Sequence, residues 1–245
     1  MGYRKKRKPL IGLSLFLLFS ILLSAYFFIN SAFFNLQKIE VSGCTTIAED
    51  TVLKLSGVVL GTNLFKIDKE QIQAKVELHP VIKAVQIFRR LPHTLELLVE
   101  ERTPIALVVG KDGYLAIDDE GIFIRQVDDL HNMNFPVISG ITLESSISLG
   151  DDLSTPGLES ALQLLRLMDK EFLAGVAEIK AASQYSLTLK MLQGVEIRFG
   201  GPENAKQKLQ VIKELLIENE EIINNQTVEY IDLRYNSLPV IKRKN

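Results

Sequence analysis

The chain has 245 residues, 28 basic and 30 acidic, for a formal net charge of −2, and at roughly 150 residues per domain this predicts one to three domains. The balance is uneven: Arg4, Lys5, Lys6, Arg7 and Lys8 are basic, residues 10–29 carry no charge, and the remainder has 23 basic against 30 acidic residues, net −7. An acidic body without a basic patch excludes nucleic-acid binding, which needs clustered Lys and Arg. A single cysteine, Cys44, excludes an intramolecular disulfide framework and a cysteine metal cluster.

Residues 10–29, opening at Leu10 and closing at Ile29, form a run of the length an α-helix needs to cross about 30 Å of hydrocarbon. Its seven Leu, three Ile and four Phe contribute on the order of −4 to −8 kcal/mol of insertion free energy. The run is longer than the roughly 7–15 apolar residues of a signal peptide, and only the weak match Asn30-Ser31-Ala32 follows it as a cleavage site. The expectation is an uncleaved transmembrane anchor behind a cytoplasmic stub, residues 1–9. By the positive-inside rule the basic cluster stays in the cytoplasm and the bulk is exported, a single-pass type II arrangement. In that oxidising compartment Cys44 is expected to be unpaired and buried as a small hydrophobe.

After the anchor the pattern predicts strand–helix–helix–strand–strand. Residues 36–41 alternate, with Gln37, Ile39 and Val41 on one face and Lys38 and Glu40 on the other. Thr46-Ile47-Ala48-Glu49 has capping-box spacing and Gly57 the place of a helix stop, which predicts a helix over 47–56. Asp68 caps a second helix, closed by Pro80. Strands over 81–89 and 94–101 flank Arg90-Leu91-Pro92-His93, and Leu95, Leu97 and Val99 face the core. The result is a small sheet with two helices on one face, residues 34–102.

Thr103-Pro104 marks a joint to a β-rich domain, residues 103–235. Gly110-Lys111-Asp112-Gly113 turns between strands over 105–109 and 114–117, and Asp119-Glu120-Gly121 turns into a strand over 122–125. Phe135 to Gly140 reads as a short edge piece. Thr155-Pro156 caps a helix with Leu158, Ala161, Leu162, Leu165, Met168 and Phe172 on one stripe. Strands follow over 177–181, 186–192 and 195–199. A last helix begins at Gly201-Pro202 with Ala205, Leu209, Ile212, Leu215 and Leu216 inward, and a strand over 228–235 precedes a basic tail, residues 236–245. The fold class is α+β throughout.

No catalytic chemistry is legible. There is no Ser with Lys three positions on, no G-x-S-x-G elbow and no P-loop, and His79, His93 and His131 lack metal-ligand spacing. No cofactor, metal or small-molecule substrate is expected. Asp118-Asp119-Glu120 and Glu218, Glu220, Glu221 read as solvated turn and helix-end carboxylates, and His79 as a capping residue.

The order of parts resembles the FtsQ family of bacterial cell division proteins, called DivIB in Gram-positive bacteria. The likeness is carried by Ile39-Glu40-Val41-Ser42-Gly43, then residues 61–68 (GTNLFKID), His79-Pro80, Leu91-Pro92-His93-Thr94-Leu95 and residues 99–104 (VEERTP). It continues through Asp118-Asp119-Glu120-Gly121, Phe135-Pro136-Val137-Ile138-Ser139-Gly140 and Tyr230-Ile231-Asp232-Leu233-Arg234-Tyr235. The resemblance implies a POTRA domain over 34–102 and a non-enzymatic scaffold at the division septum, in the cell membrane. It also implies FtsL-like and FtsB/DivIC-like bitopic partners held outside the membrane. The last strand, read as a sheet edge, supplies the expected partner-binding residues Tyr230, Asp232, Arg234, Tyr235, Asn236, Ser237 and Leu238. A membrane-anchored POTRA-type adaptor for protein export or envelope assembly is the alternative class; the large β-barrel of outer-membrane assembly proteins is excluded by the roughly 140 residues that follow Pro104.

Overall fold

A computed structural model of the chain describes residues 11–130, 134–144, 146–218, 223, 226–235 and 238–244. The basic cluster Arg4 to Lys8, Leu10, His131, Glu220, Glu221, Asn236 and Ser237 lie outside the described residues. The chain divides into two compact units, Met1–Glu101 and Arg102–Asn245.

The first unit opens with α1 (Ile11–Ile29), 19 residues without an acidic or basic side chain. At 1.5 Å per residue it is about 28 Å long, matched to a hydrocarbon core. The span Gly12–Ile29 has a mean hydropathy of 2.3 and none of it is buried against the protein. One 3₁₀ turn at Ala32–Phe34 leads into β1 (Lys38–Ser42), followed by α2 (Glu49–Ser56), α3 (Lys69–Glu77), β2 (Ile82–Arg90) and β3 (Thr94–Glu101). β3 lies between the other two strands, parallel to β1 and antiparallel to β2. Leu95, Leu97 and Val99 point inward as their period of two requires, and they pack with Val52 of α2 and with Ile72 and Val76 of α3. Ile39 and Val41 lie half-buried on the margin of that core.

Local signals decide most helix ends here. Asp68 Oδ1 accepts from the Gln71 N–H at 3.1 Å, and Gly57, at φ 62°, closes α2 in the left-handed region. The capping box does not form. The N-cap of α2 is Ala48, without a side-chain bond, because the N–H groups of Thr45, Thr46 and Ile47 already donate to the Glu101 carboxylate at 2.7, 2.9 and 3.0 Å. Cys44 is half-buried at the margin of the core, less enclosed than expected. Burial, with the carboxylates of Glu101 and Glu49, pushes its thiol pKa up, which disfavours the reactive thiolate.

The second unit is a nine-stranded mixed sheet with helices. Its elements are β4 (Ala106–Val109), β5 (Tyr114–Ile117), β6 (Phe123–Val127), β7 (Val137–Ser139), α4 (Pro156–Leu167), α5 (Lys170–Ala174), β8 (Val176–Ser183), β9 (Ser186–Met191), β10 (Glu196–Gly200), α6 (Ala205–Glu218), β11 (Val228–Asp232) and β12 (Val240–Arg243). The strand order is β12-β11-β10-β9-β8-β7-β4-β5-β6. Leu158, Ala161, Leu162 and Leu165 of α4 and Ala205, Leu209 and Ile212 of α6 bury against Ile179, Leu187, Leu189, Ile197 and Ile231 of the sheet. Arg102 opens this unit by donating to Asp118 and, at 2.8 Å, to Glu120. Asp118 is 1% exposed, and its other oxygen accepts the N–H groups of Glu120 and Ile122 at 2.9 Å.

Four expectations are corrected. β7 is interior, parallel to both β4 and β8. Pro136 precedes the strand and so removes no ladder donor from it, while its carbonyl accepts the Leu107 N–H at 3.0 Å. The stripe from Leu158 to Phe172 is two helices, since Met168 turns extended and Asp169 caps α5 by accepting the Phe172 N–H at 2.8 Å. The last helix begins at Ala205, three residues after Pro202. The residues read as a basic tail contain β12, which pairs antiparallel with β11. The edge therefore belongs to Val240–Arg243, not to the strand before it.

Candidate partner-binding edge

β11 carries Val228 and Ile231 into the core, and Leu233 follows them inward. Its opposite face meets solvent with Tyr230 and Asp232. Tyr230 sits between Glu196 of β10 and Lys242 of β12 in the sheet register. The Arg198 guanidinium lies 3.6 Å from the Tyr230 ring centroid and the Lys242 ammonium 5.7 Å. Tyr230 is thus already engaged by two cations of its own sheet. Arg198 and Lys242 are also ion-paired, to Glu196 and Glu229, each at 3.0 Å.

Asp232 and Arg234 form a closed local pair. The guanidinium donates through Nη2 to Oδ2 at 2.6 Å and through Nε to both oxygens at 3.0 and 3.1 Å. The Arg234 N–H adds a fourth bond to Oδ1 at 3.0 Å. The side-chain hydrogen bond from Arg234 leads in holding the Asp232 carboxyl below the usual range, and the same bond raises the Arg234 pKa. Such a bidentate pair sets the course of the chain after β11.

Gly200 makes the next contact possible. It sits at a bulge in β10 with φ +80°, and a Cβ there would lie 3.3 Å from the Cα of Arg234. The Leu233 N–H then donates to the Arg198 carbonyl at 2.9 Å, so the chain leaves β11 against the bulge and returns as β12.

Of the sequence-expected site residues that are described, Tyr235 and Leu238 are the most open, 69% and 86% exposed, and Arg234 is exposed as well. Tyr235 and Leu238, with Leu233, Pro239 and Asn204, Gln207, Lys208 and Val211, line a groove of about 560 Å³. The Lys208 ammonium is turned inward, donating to the carbonyls of Phe199 at 3.0 Å and Gly201 at 3.3 Å, and burial lowers its pKa. On β12, Val240 and Ile241 are also exposed apolar side chains. These two, with Arg198 and Lys242, were not among the expected residues. The β-branched pair Val240-Ile241 directly after Pro239 is the strand signal that could have found them.

Two family models match the sequence over this architecture. A POTRA domain of FtsQ type covers residues 34–102, and the C-terminal domain of cell division protein FtsQ/DivIB covers residues 106–234.

The chain belongs to the FtsQ/DivIB family.

Family relatives include cell division protein FtsQ of Geobacter sp. (strain M21), 29% identical over 85% of this chain and 76% of its own. Cell division protein DivIB of Clostridium acetobutylicum is 24% identical over 85% of this chain and 82% of its own. Cell division protein DivIB of Clostridium botulinum is 22% identical over 97% and 93%. An FtsQ/DivIB chain of this architecture is a cell division protein with an N-terminal apolar helix suited to a membrane anchor, a POTRA domain and a mixed α+β second unit. Among the described residues no cluster of three His, Cys, Asp or Glu is placed to hold a metal ion.

Proposed function

We propose that the protein is a non-enzymatic scaffold of the bacterial division septum, anchored by α1 with its N-terminus in the cytoplasm and both units outside. There it holds small bitopic division proteins of the FtsL and FtsB/DivIC kinds. The observation that carries this reading is β12. It ends the sheet order with no further strand on its outer side among the described residues, and the groove lined by Tyr235 and Leu238 lies just before it in the chain. An edge strand offers a row of N–H and C=O groups to which an extended partner segment adds as the next strand. Neighbouring apolar side chains then supply selectivity. Tyr235 is the natural anchor, since interface energy concentrates in aromatic and Arg residues. Arg234 is committed to Asp232 and serves the shape of the edge.

The test is titration of the full chain with a purified pair of the bitopic proteins. Deleting residues 238–245 removes β12 and is expected to lower affinity at least about tenfold, or roughly 1.4 kcal/mol. Tyr235→Ala is expected to cost roughly 1–3 kcal/mol with an unchanged melting curve. Full affinity in both variants moves the interface elsewhere. A C-terminal alkaline phosphatase fusion checks orientation: activity in the membrane fraction supports it, and activity released into the medium contradicts an uncleaved anchor.

A further inference from the structure

The strand pairing of the first unit defines two ends. β1 starts with Lys38 opposite Thr94 and finishes with Ser42 opposite Leu98. Because α1 feeds into the start of β1, that is the near end. The hairpin tip before Thr94 lies there, with the Gln37 N–H donating to the His93 carbonyl at 2.8 Å. So does the loop between α2 and α3: Leu36 N–H donates to Thr62 at 2.9 Å and Gly61 N–H to Leu36 at 2.8 Å. The far end holds the segment before α2 and the residues after α3.

The near end is fastened to α1 itself. Asn63, almost fully buried, donates from Nδ2 to the Ile29 carbonyl at 2.9 Å, while its Oδ1 accepts the Phe65 N–H at 3.0 Å. One of the carbonyls that an α-helix leaves open at its C-terminus is thus satisfied by a side chain of the globular domain. A chain of rings makes the same connection: Phe28 to Phe34 at 5.2 Å, Phe33 to Phe34 at 5.0 Å and Phe34 to Phe65 at 5.1 Å. From behind, Arg89 braces the loop by donating to the carbonyls of Leu64 at 2.8 Å and Ile67 at 2.6 Å. The loop is therefore held at the level where α1 ends.

This braced end shows a run of apolar side chains to solvent, with Lys38, Lys66 and Arg90 exposed around it. Val59 and Leu60 are 68% and 58% exposed, and Phe33 and Phe65 are exposed beside them. No charged residue occurs between Lys54 and Lys66. Two large aliphatic residues at a fixed loop tip, next to the last turn of an apolar helix, have an obvious solvent other than water.

We propose that the near end of the POTRA domain is seated in the bilayer, with Phe33, Val59, Leu60 and Phe65 entering the headgroup–acyl boundary of the leaflet from which α1 emerges. The partner is a lipid surface. Aromatic and aliphatic side chains at that depth act as interfacial anchors, as they do for helices lying about 5–10 Å into the boundary. The inference rests on the reading of α1 as a membrane span.

The chain contains no Trp, so a single introduced indole reports its own surroundings. Leu60→Trp and Val59→Trp place it at the near end. Leu78→Trp places it at the far end, on a side chain 82% exposed directly after α3. The full-length variants are reconstituted in vesicles of phosphatidylcholine and phosphatidylglycerol, with and without a lipid brominated near the top of its acyl chains. The near-end indoles are expected to emit at shorter wavelength and to be quenched by the brominated lipid roughly twofold or more beyond the far-end one. The far-end indole should be the one open to aqueous acrylamide. Equal behaviour of near and far indoles in a protein that resists carbonate extraction overturns the seating alone. Loss of the protein from the vesicles in carbonate overturns the span, and the seating with it.

Discussion

The Glu101 carboxylate and the Thr45 hydroxyl are joined by a 2.6 Å hydrogen bond across 56 residues of chain. Three backbone N–H groups, of Thr45, Thr46 and Ile47, converge on the same carboxylate. Burial opposes the charged form, but the hydrogen bonds from the Thr45 side chain and from the Ile47, Thr45 and Thr46 backbone outweigh it and lower the Glu101 pKa from 4.5 to about 2. A residue at the end of the last POTRA strand thus holds the segment that leads into α2, where the sequence predicts a capping box.

A pH dependence follows from the direction of that shift. A carboxyl whose pKa is depressed on folding binds fewer protons when native, so its contribution is complete above about 4.5 and is lost as pH falls toward about 2. In Glu101→Gln that part of the acid sensitivity is expected to disappear. Urea titrations of both proteins between those pH values measure it. A wild-type and variant difference that does not shrink on acidification contradicts the assignment.

Leu97 is fully buried beneath α2 and α3. Leu97→Ala is expected to destabilise the POTRA domain by about 2–5 kcal/mol through the lost transfer energy and the cavity left behind. Leu98 faces outward on the same strand, so Leu98→Ala should cost well under about 1 kcal/mol. Equal losses at the two positions would falsify the register.

Arg102 supplies the counter-charge of Asp118, which is inaccessible to solvent. Arg102→Met leaves a buried carboxylate with two N–H donors and no cation, and is expected to destabilise the second unit by about 3 kcal/mol. Adding Asp118→Asn removes the stranded charge and should recover a good part of that loss. Hydrogen exchange of the Glu120 and Ile122 amides reads the local effect.

Gly200→Ala forces a side chain into the left-handed region and against Arg234. The strain should cost about 1–2 kcal/mol, and its effect should concentrate on the return from β11 to β12. Affinity for the proposed bitopic partners, measured by titration, should fall with it, while the POTRA domain melts as before.

How far the sequence is legible depends on the range over which each feature is decided. Asp68 and Thr155-Pro156 announce helix starts because cap and capped N–H lie within one turn, and Leu95, Leu97 and Val99 announce a strand face by their spacing. The Thr46 box misleads because its competitor, Glu101, lies 55 residues away. Likewise the interior place of β7 depends on pairing with β4 and β8, which no local pattern encodes. At the candidate edge, Tyr235 and Leu238 are exposed, but β11 ends at Asp232 instead of running on to Tyr235 as the alternation predicts. The strand beyond them is masked by its composition, since Lys242, Arg243 and Lys244 make a paired strand read as a solvated tail.

The middle position of β3 has a consequence for synthesis. Chains emerge N-terminus first, and domains fold as units once complete. β1 and β2 do not pair with each other; each finds its partner only in β3, the last element of the domain to be made. Until Thr94 to Glu101 has been made, the earlier strands have no hydrogen-bonded neighbour, and Glu101, the last residue of β3, brings the carboxylate that binds the segment leading into α2. The POTRA domain is built to close in one event, when its last strand is complete, so a ribosome that stalls short of that point holds an open chain.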